Sequence, residues 1–346
     1  DGIRDLVLSL VGSEMCIRDR AEGTVVTEPA ALVGLVDGMV GQVTLTFEEG
    51  AQSTWLHDLL RPHVTKLVVC DPRHNSLLQA GNKNDKVDAR RLAELLRLGS
   101  LKSVYKGGAS LRPLEELVRG YGKHVQARTR VKNQLKGLLR GHGIVAKGDA
   151  VYASAARDDW LAQLPRESLR LYGDGLYDQL VLLDELVAEV EREMRAEARR
   201  HDAYKLLMTI PGIGKVRAAQ LLALMKSPYR FRTRRQLWAY AGLAVVTRSS
   251  ADFIVRDGEF VSTKRAQTRG LNRNGNRRLK CVLKQAAQDT AWRGAFREEY
   301  RARVANGQRF EMVLLTFARR IATLCLFVWK NKEPYDPSRY RPVHQL

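Results

Sequence analysis

The stretch Asn84-Asp85-Lys86-Val87-Asp88-Ala89-Arg90-Arg91-Leu92-Ala93 predicts how the N-terminal part of the chain is organised. From Val87 onward apolar residues recur at helical spacing, so Asp85 and Asp88 fall in or just before the first turn of a helix. Carboxylates three positions apart there point the same way, about 5–6 Å apart between Cβ atoms. One interpretation is an N-cap followed by a first-turn acid that the helix dipole favours. The other is a pair of functional carboxylates.

A third acid favours the functional interpretation. Glu48 ends the run Gln42-Val43-Thr44-Leu45-Thr46-Phe47, which alternates like a half-buried strand. Carboxylates at a strand end and a helix start offer oxygen ligands on rigid elements, as Mg²⁺ or Mn²⁺ requires, and can leave positions open for phosphate. We therefore expect Glu48, Asp85 and Asp88 to converge on a divalent metal.

The surrounding segments alternate between strand and helix signals. Strands are predicted at 23–27, 66–70 and 103–105, and helices from Pro29 and over 52–60. This alternation is typical of an α/β domain. Residues 1–20 do not share the pattern: they lack an initiator Met, and the run from Leu10 to Arg20 resembles a translated sequencing-adapter scar. We expect residues 1–20 to be non-native and the first strand of the domain to be lost. The alternative is a genuine divergent strand.

The middle of the chain is predicted to be helical. One amphipathic helix covers 111–139 and has strongly basic outer faces, and a second covers 176–200. In the second, Leu176, Leu180, Leu183, Val187, Val190 and Met194 alternate in steps of four and three residues. This seam predicts either a helical hairpin within one chain or a coiled-coil dimer. Residues 141–175 are predicted to be a looser connector.

The last third combines a glycine-rich turn with high positive charge. Ile210-Pro211-Gly212-Ile213-Gly214 between two helical segments is typical of a helix-hairpin-helix, in which backbone N–H groups at a helix N-terminus meet a phosphate. A purely structural tight turn is the alternative. Residues 226–280 contain 14 Lys or Arg against 3 Asp or Glu, which favours contact with nucleic acid phosphates. Trp238, Tyr240, Phe253 and Phe260 lie within this region and are expected in the core rather than as base-stacking platforms.

Composition narrows the class of protein. The 346 residues carry a formal net charge of +20, which favours a polyanionic partner. Four scattered cysteines without metal-ligand spacing argue against structural zinc and suit a reducing cytoplasm. We find no apolar run near the roughly 20 residues of a membrane span and expect no membrane association.

These motifs, in their order and spacing, resemble the DEDD insertion-sequence transposases, a family of bridge-RNA-guided serine recombinases. The resemblance runs from Ala21 to Pro337 and includes Asp71-Pro72, Tyr240-Ala241-Gly242-Leu243, Ser249-Ser250, Arg269-Gly270 through Asn276-Arg277-Arg278-Leu279, and Tyr335-Asp336-Pro337. It implies a RuvC-like (RNase-H-type) α/β domain over 21–108, a helical hairpin or coiled-coil linker over 109–202, and a mainly α C-terminal domain over 203–346 with the helix-hairpin-helix and a catalytic serine.

The resemblance also implies roles for individual residues. Glu48, Asp85 and Asp88 match the second, third and fourth metal-binding acids, and only Asp5 stands near the place of the first. The interval from Gly242-Leu243 selects Ser250 as the nucleophile and Ser249 as the reserve, although Val245 and Ala251 replace a Pro and a Gly of the family pattern. The expected nucleic-acid-binding residues are Gly212, Gly214, Lys215, Arg248, Arg269, Arg277 and Arg278.

The implied activity is cutting and rejoining of DNA through a covalent phosphoserine, assisted by Mg²⁺ or Mn²⁺. The expected partners are DNA, a guide (bridge) RNA and further copies of the chain in a dimer or tetramer, in the bacterial cytoplasm at the nucleoid. Two alternatives stay open. One is a hydrolytic, structure-specific nuclease that uses only the acids, and the other is an inactive nucleic-acid-binding remnant.

Overall fold

The computed structural model describes residues 6–11, 20–72, 85–248, 253–256, 259–262 and 267–339. The chain divides into two compact units, Asp1–Ala109 and Ser110–Leu346. The first unit contains the acids, and the second contains the glycine-rich turn and the basic region. Each unit has its own apolar core.

From Arg20 onward the first unit alternates strands and helices, as the sequence predicts, whereas the strand over Leu6–Val11 lies in residues that were expected to be non-native. Its elements are β1 (Leu6–Val11), β2 (Arg20–Val25), α1 (Pro29–Asp37), β3 (Thr44–Glu48), α2 (Ser53–Leu60), β4 (Lys66–Cys70) and α3 (Asp85–Arg97). β1 and β2 pair antiparallel, while β3 and β4 pair parallel from Thr44 opposite Lys66 to Glu48 opposite Cys70. A parallel pair needs a crossover connection, and α2 supplies it.

The register of β3 follows from its alternation. Leu45 and Phe47 are buried in a core with residues of α1 and α2, whereas Thr44 and Glu48 point away from that core. A shift of one residue would exchange these two sets, so the apolar pattern specifies the register. Glu48 therefore lies at the carboxyl end of the strand, outside the core.

One predicted strand of the first unit is reduced to a single bridge. Ser103 forms an isolated antiparallel bridge with Cys70, and the Val104 N–H donates to the Val69 carbonyl at 2.7 Å. A RuvC-like domain is expected to contain a β-sheet. In the first unit, the described residues form two separate pairs of strands, β1–β2 and β3–β4, and this bridge. Lys106, three residues after Ser103, is buried.

The second unit is mainly helical. Its helices are α4 (Arg112–Gly141), α5 (Arg157–Ala162), α6 (Glu167–Ala198), α7 (Asp202–Met208), α8 (Lys215–Met225), α9 (Arg234–Tyr240), α10 (Arg277–Trp292), α11 (Arg297–Ala305) and α12 (Phe310–Asn331). Four short strands lie between α9 and α10, namely β5 (Val245–Arg248), β6 (Phe253–Arg256), β7 (Glu259–Ser262) and β8 (Gln267–Leu271). β5 pairs with β8 and β6 with β7, all antiparallel. These four strands were not predicted from the sequence.

The two long helices α4 and α6 pack against each other within the chain. Leu135 and Leu139 of α4 share an apolar cluster with Leu176 and Leu180 of α6. The apolar seam of α6 thus lies against α4 over this stretch. An apolar helix face can pack against any helix of matching shape. The periodicity of α6 therefore did not show whether its partner lies in the same chain or in a second copy.

The prediction of a loose connector over 141–175 was wrong. α6 begins at Glu167, and α5 lies over the hairpin with Leu161 and Leu164 buried. Arg157 at the start of α5 donates to Asp174 and Asp178 of α6, at 2.6 and 2.7 Å. These ion pairs and the apolar contacts are long-range, which explains why local sequence features did not reveal them.

α12 is the central helix of the second unit. It is long and apolar enough to cross a membrane, contrary to the sequence expectation that no such run exists, yet most of it is buried in the core of the unit. Val313, Phe317 and Ile321 are fully enclosed there. No other helix among the described residues meets the length and composition of a membrane span.

Candidate functional site

The end of β3 and the first turn of α3 bring two of the predicted acids together. Glu48 is the last residue of β3, and Asp88 lies one turn into α3, which begins at Asp85. Burial first, and the negative charge of Asp88 second, raise the pKa of the Glu48 carboxyl above its ordinary value. Both causes disfavour ionised Glu48, because its charge loses water and faces a like charge.

A second feature of Asp88 favours a functional role for this residue. Its Oδ1 atom is buried and has no hydrogen-bond partner in the part of the chain that the structure describes. A buried carboxylate oxygen without a partner costs free energy, on the order of 1–3 kcal/mol or more for a charged group. An acid that only stabilises the helix dipole does not need a buried oxygen without a partner. The buried Oδ1 of Asp88 therefore favours the functional interpretation over the N-cap interpretation.

The side chains of the other two predicted acids, Asp85 and Asp5, are not among those that the structure describes. Asp85 opens α3, but its side chain lies outside the described residues, as does Asp5 altogether. Among the side chains that are described, no three His, Cys, Asp or Glu come together as metal ligands. The structure therefore brings together Glu48 and Asp88.

These two residues fit a divalent cation. Carboxylate oxygens are the ligands that hard cations such as Mg²⁺ and Mn²⁺ take in proteins. A cation between Glu48 and Asp88 would offset their repulsion, and it would supply a partner for the buried Oδ1 of Asp88.

A buried lysine next to this pair was missed by the sequence analysis. The Lys106 ammonium donates to Glu49, the neighbour of Glu48, and to the Ser53 Oγ at 2.8 Å, and only 5% of its side chain is exposed. The Ser53 hydroxyl in turn donates to the Gly50 carbonyl at 2.7 Å. These contacts tie the loop after β3 to the start of α2. No sequence signal marks Lys106, because a lone lysine after a short strand reads as a surface residue.

The α7–α8 turn, Thr209–Gly214, contains two glycines that have different structural roles. Gly212 has φ +78°, and a Cβ there would stand 2.7 Å from both the Ala286 carbonyl oxygen and the Thr290 Cγ2 of α10. Gly214 is the N-cap of α8, with an extended backbone and open space around its Cα. Gly212 therefore permits close packing against α10, and Gly214 forms the exposed end of the turn.

The N-terminus of α8 is open to solvent. Gly214 and Lys215 are exposed, and the first intrahelical bond is donated by the Ala218 N–H to the Gly214 carbonyl at 2.9 Å. The N–H groups of the first turn, starting at Lys215, have no acceptor among the described residues. Such groups together with the helix dipole favour an anion.

The residues around α10 form a compact junction with the end of α9. The Asn276 side chain caps α10 by accepting from the Leu279 N–H at 3.0 Å, and its amide donates to the Tyr240 hydroxyl at 3.2 Å. Gly275 lies so close to Gly242 that a Cβ would stand 2.3 Å from the Gly242 nitrogen. The junction explains why these glycines and asparagines occur together, and it presents Arg277 and Arg278 exposed at the start of α10.

The predicted nucleophile lies outside the described residues. Ser249 and Ser250 follow β5, which ends at Arg248. Arg248 in β5 and Arg269 in β8 are described in their backbone alone. Of the four aromatic residues that were expected in the core, Trp238 and Tyr240 pack against it, whereas the side chains of Phe253 and Phe260 are not described.

Two family models match the chain: the first covers most of the first unit and continues into α4 of the second, and the other lies within the second unit. Residues 27–144 match the DEDD transposase family of IS110 elements, and residues 204–301 match the transposase family of IS116/IS110/IS902 elements. The first match contains Glu48, Asp85 and Asp88. The second contains the α7–α8 turn, the serines and α10.

Several curated proteins are similar over part of their length. The transposase for insertion sequence element IS1111A of Coxiella burnetii is 28% identical over 190 residues, which cover 52% of this chain and 50% of that protein. A probable family 20 transposase of Pseudomonas aeruginosa is 28% identical over 200 residues, 56% of this chain and 58% of that protein. The transposase for IS1328 of Yersinia enterocolitica is 26% identical over 247 residues, 71% and 70% of the two chains. The chain thus spans about half the length of the first two relatives.

Proposed function

The chain belongs to the DEDD insertion-sequence transposase family, and on this premise we propose that it cuts and rejoins DNA as the recombinase of a mobile element. The observation that carries the proposal is the meeting of Glu48 and Asp88 at the end of β3 and the start of α3. Two carboxylates that interact electrostatically, one with a buried oxygen that lacks a partner among the described residues, suit a site that acts on phosphodiesters with a divalent cation.

Glu48 and Asp88, with Asp85 as the third acid, would hold Mg²⁺ or Mn²⁺. The cation would supply positive charge for the oxygens on which negative charge develops during phosphoryl transfer. The chain's own part is to fix the ligands: β3 holds Glu48 through its register with β4, and α3 holds Asp88 in its first turn. Lys106 adds a further restraint, because it ties the residue after Glu48 to α2.

Ser250 is the proposed nucleophile, with Ser249 as the reserve. Its hydroxyl oxygen forms a bond to phosphorus while the bond from phosphorus to a deoxyribose oxygen breaks. The hydroxyl gives up its proton, and the departing oxygen takes up a proton. Attack by the hydroxyl of another strand reverses these steps and rejoins the DNA, so the covalent phosphoserine conserves the bond between cutting and joining.

The proposed binding surface is basic and lies in the second unit. Gly214 and Lys215 at the start of α8, and Arg277 and Arg278 at the start of α10, are exposed and can meet phosphates. Gly212 supports this surface by its packing, and Arg248 and Arg269 belong to the strands next to the serines. A bridge RNA would delegate sequence recognition to base pairing and leave the protein to hold backbones. A homodimer or tetramer is the proposed assembly.

The test is trapping of a covalent intermediate on a nicked DNA target, followed by peptide mass spectrometry. The full chain is expected to form a protein–DNA adduct at Ser250, and Ser250→Ala is expected to abolish the adduct while Ser249→Ala keeps it. An adduct at Ser249 would shift the assignment by one residue. Cleavage without any adduct would instead favour the hydrolytic nuclease, and binding without cleavage would favour an inactive remnant.

A further inference from the structure

The solvent side of α10 changes character along its length. Its exposed residues are Arg277, Arg278, Cys281, Lys284, Gln285, Asp289 and Trp292. The opposite side, including Leu279, Leu283 and Ala287, is buried in the core of the unit. Cations therefore occupy the first half of the exposed side, and a tryptophan stands at its end.

A groove opens at that end of α10. It has a volume of about 390 Å³ and is lined by Arg217, Gln285, Gln288, Asp289, Trp292 and Arg293. We call it the Trp292 groove. Its size falls within the range of roughly 300–1,000 Å³ that is common for sites of small organic groups.

Trp292 is unusual for its exposure. Half of the residue is open to solvent, and its indole N–H makes no hydrogen bond to any residue that the structure describes. Tryptophan is highly buried on average, so an exposed indole in a groove presents a large apolar ring to a ligand. The two preceding residues, Thr290 and Ala291, are buried in the core of the unit instead.

The charge of the groove is set by an ion pair. Asp289 accepts from the Arg217 guanidinium at 2.9 Å, and the same Arg217 nitrogen donates to the Gly212 carbonyl at 2.7 Å. The acid is thereby neutralised, and the guanidinium links the groove to the α7–α8 turn. Arg293 within the groove and Lys284 along α10 add positive charge. The groove and its approach therefore complement an anionic strand.

We propose that the Trp292 groove binds an unpaired nucleotide of a single nucleic acid strand, with its base stacked on the indole and its backbone following the cations of α10. A base within a duplex is stacked on both faces, so only an unpaired or extruded base can present its ring to Trp292. Aromatic stacking beside a basic track is how single strands are held without regard to sequence. The two glutamines can hydrogen-bond to base edges.

The lining favours an anionic partner. It contains two arginines, and its one acid, Asp289, is paired with Arg217. The inference rests on the proposed nucleic-acid function, but it adds a ligand, an unpaired nucleotide, and a site that the acids and the serine do not require.

The test measures binding of the full chain to fluorescent oligonucleotides. The probes are a single-stranded DNA and a single-stranded RNA of the same sequence, the same strands with abasic positions, and a duplex. Trp292→Ala is expected to weaken binding of the intact single strands about 5- to 150-fold, since stacking of one base on an aromatic ring accounts for that range. Trp292→Phe should retain most of the affinity, and abasic strands should bind the wild type and Trp292→Ala alike. Trp55→Ala, which changes a partly exposed tryptophan of the first unit, is the matched control and should bind as the wild type does.

Each outcome decides the proposal. Affinity of Trp292→Ala within twofold of the wild type for both DNA and RNA overturns it, and so does equal affinity of the wild type for intact and abasic strands. The second comparison needs no variant and holds even if Trp292→Ala does not fold. Loss with RNA alone, or with DNA alone, would identify the strand. Salt-dependent binding that ignores Trp292 leaves the proposed recombinase function intact and removes only this inference.

Discussion

Glu48 at the end of β3 lies within electrostatic range of Asp88 in the first turn of α3, so that burial and the like charge of Asp88 both raise the pKa of the Glu48 carboxyl. Two strand and helix ends that are 40 residues apart in sequence thereby form one acidic pair. A pair of this kind destabilises the protein unless a cation offsets the repulsion, which is the arrangement expected of a site rather than of a surface.

Asp88→Asn is expected to abolish strand exchange and yet to raise the melting temperature of the protein in EDTA. The substitution removes the like charge next to Glu48, and it removes a ligand of the proposed cation. We expect activity to fall at least about a hundredfold, beyond the 10- to 100-fold that loss of a second-shell partner of a metal ligand costs. Nucleic acid binding should persist.

The same variant tests the cation directly. Mg²⁺ should raise the melting temperature of the wild type, because an ion that binds only the folded state stabilises it. Asp88→Asn should respond much less, whereas Glu94→Gln, which changes an exposed acid later on α3, should respond fully. Equal Mg²⁺ shifts in all three proteins would contradict the acidic site.

Lys106→Met is expected to destabilise the first unit by about 1 kcal/mol or somewhat more. Met keeps the apolar length of the side chain and loses the contacts of the ammonium, among them those with Glu49 and Ser53. Glu49 stays partly hydrated, which limits the loss. Thermal unfolding measures it, with the exposed Lys102→Met as the control. If both lysine variants unfold at the same temperature, the buried network does not stabilise the unit.

Gly212→Ala and Gly214→Ala should separate the two roles of the α7–α8 turn. At Gly212 the added Cβ meets the Ala286 carbonyl and the Thr290 methyl at a positive φ, so we expect a loss of about 1–3 kcal/mol. At Gly214 the space is open and the backbone extended, so the change should stay within about 0.5 kcal/mol. Chemical denaturation compares the two. A larger loss at Gly214 would contradict this assignment.

Lys215→Pro tests whether the α8 amides bind phosphate. Proline is tolerated at the first helical position, and the extended backbone of Gly214 suits a following proline. The change removes one N–H together with the lysine charge, so Lys215→Ala is the control that removes the charge alone. Because a hydrogen bond to a charged group contributes about 1.5–3 kcal/mol, Lys215→Pro should bind DNA at least about tenfold more weakly than Lys215→Ala. Equal dissociation constants would show that the amide makes no contact.

Binding of the full chain to nucleic acid should depend steeply on salt. The 14 cations against 3 acids in residues 226–280 predict contact with several phosphates, and each contact releases counterions. The slope of log affinity against log salt should be steeper than about −3 for duplex DNA. Anisotropy titrations at several salt concentrations give this slope. A value near zero would contradict the basic surface.

Sequence periodicity by itself predicted the elements of the first unit from β2 to α3, but not β1. The alternation that ends at Glu48 predicted β3 and its buried face, and the helical spacing after Asp85 predicted α3. The order of motifs also predicted the family that the comparisons then identified. Periodicity failed for α5, whose contacts are with residues remote in sequence, and for the four strands β5 to β8.

The tertiary structure decided which of these residues meet. Only the tertiary structure shows that the Oδ1 of Asp88 is a buried atom without a partner among the described residues, and only the approach of α10 gives Gly212 its tight contact with Ala286. Likewise, Lys106 is buried against Glu49 although the sequence marks it as a surface residue. A periodic pattern reports which face of an element avoids water, because that preference is local. Contacts between elements far apart in sequence depend on how the whole core closes, and no single stretch of the chain encodes that.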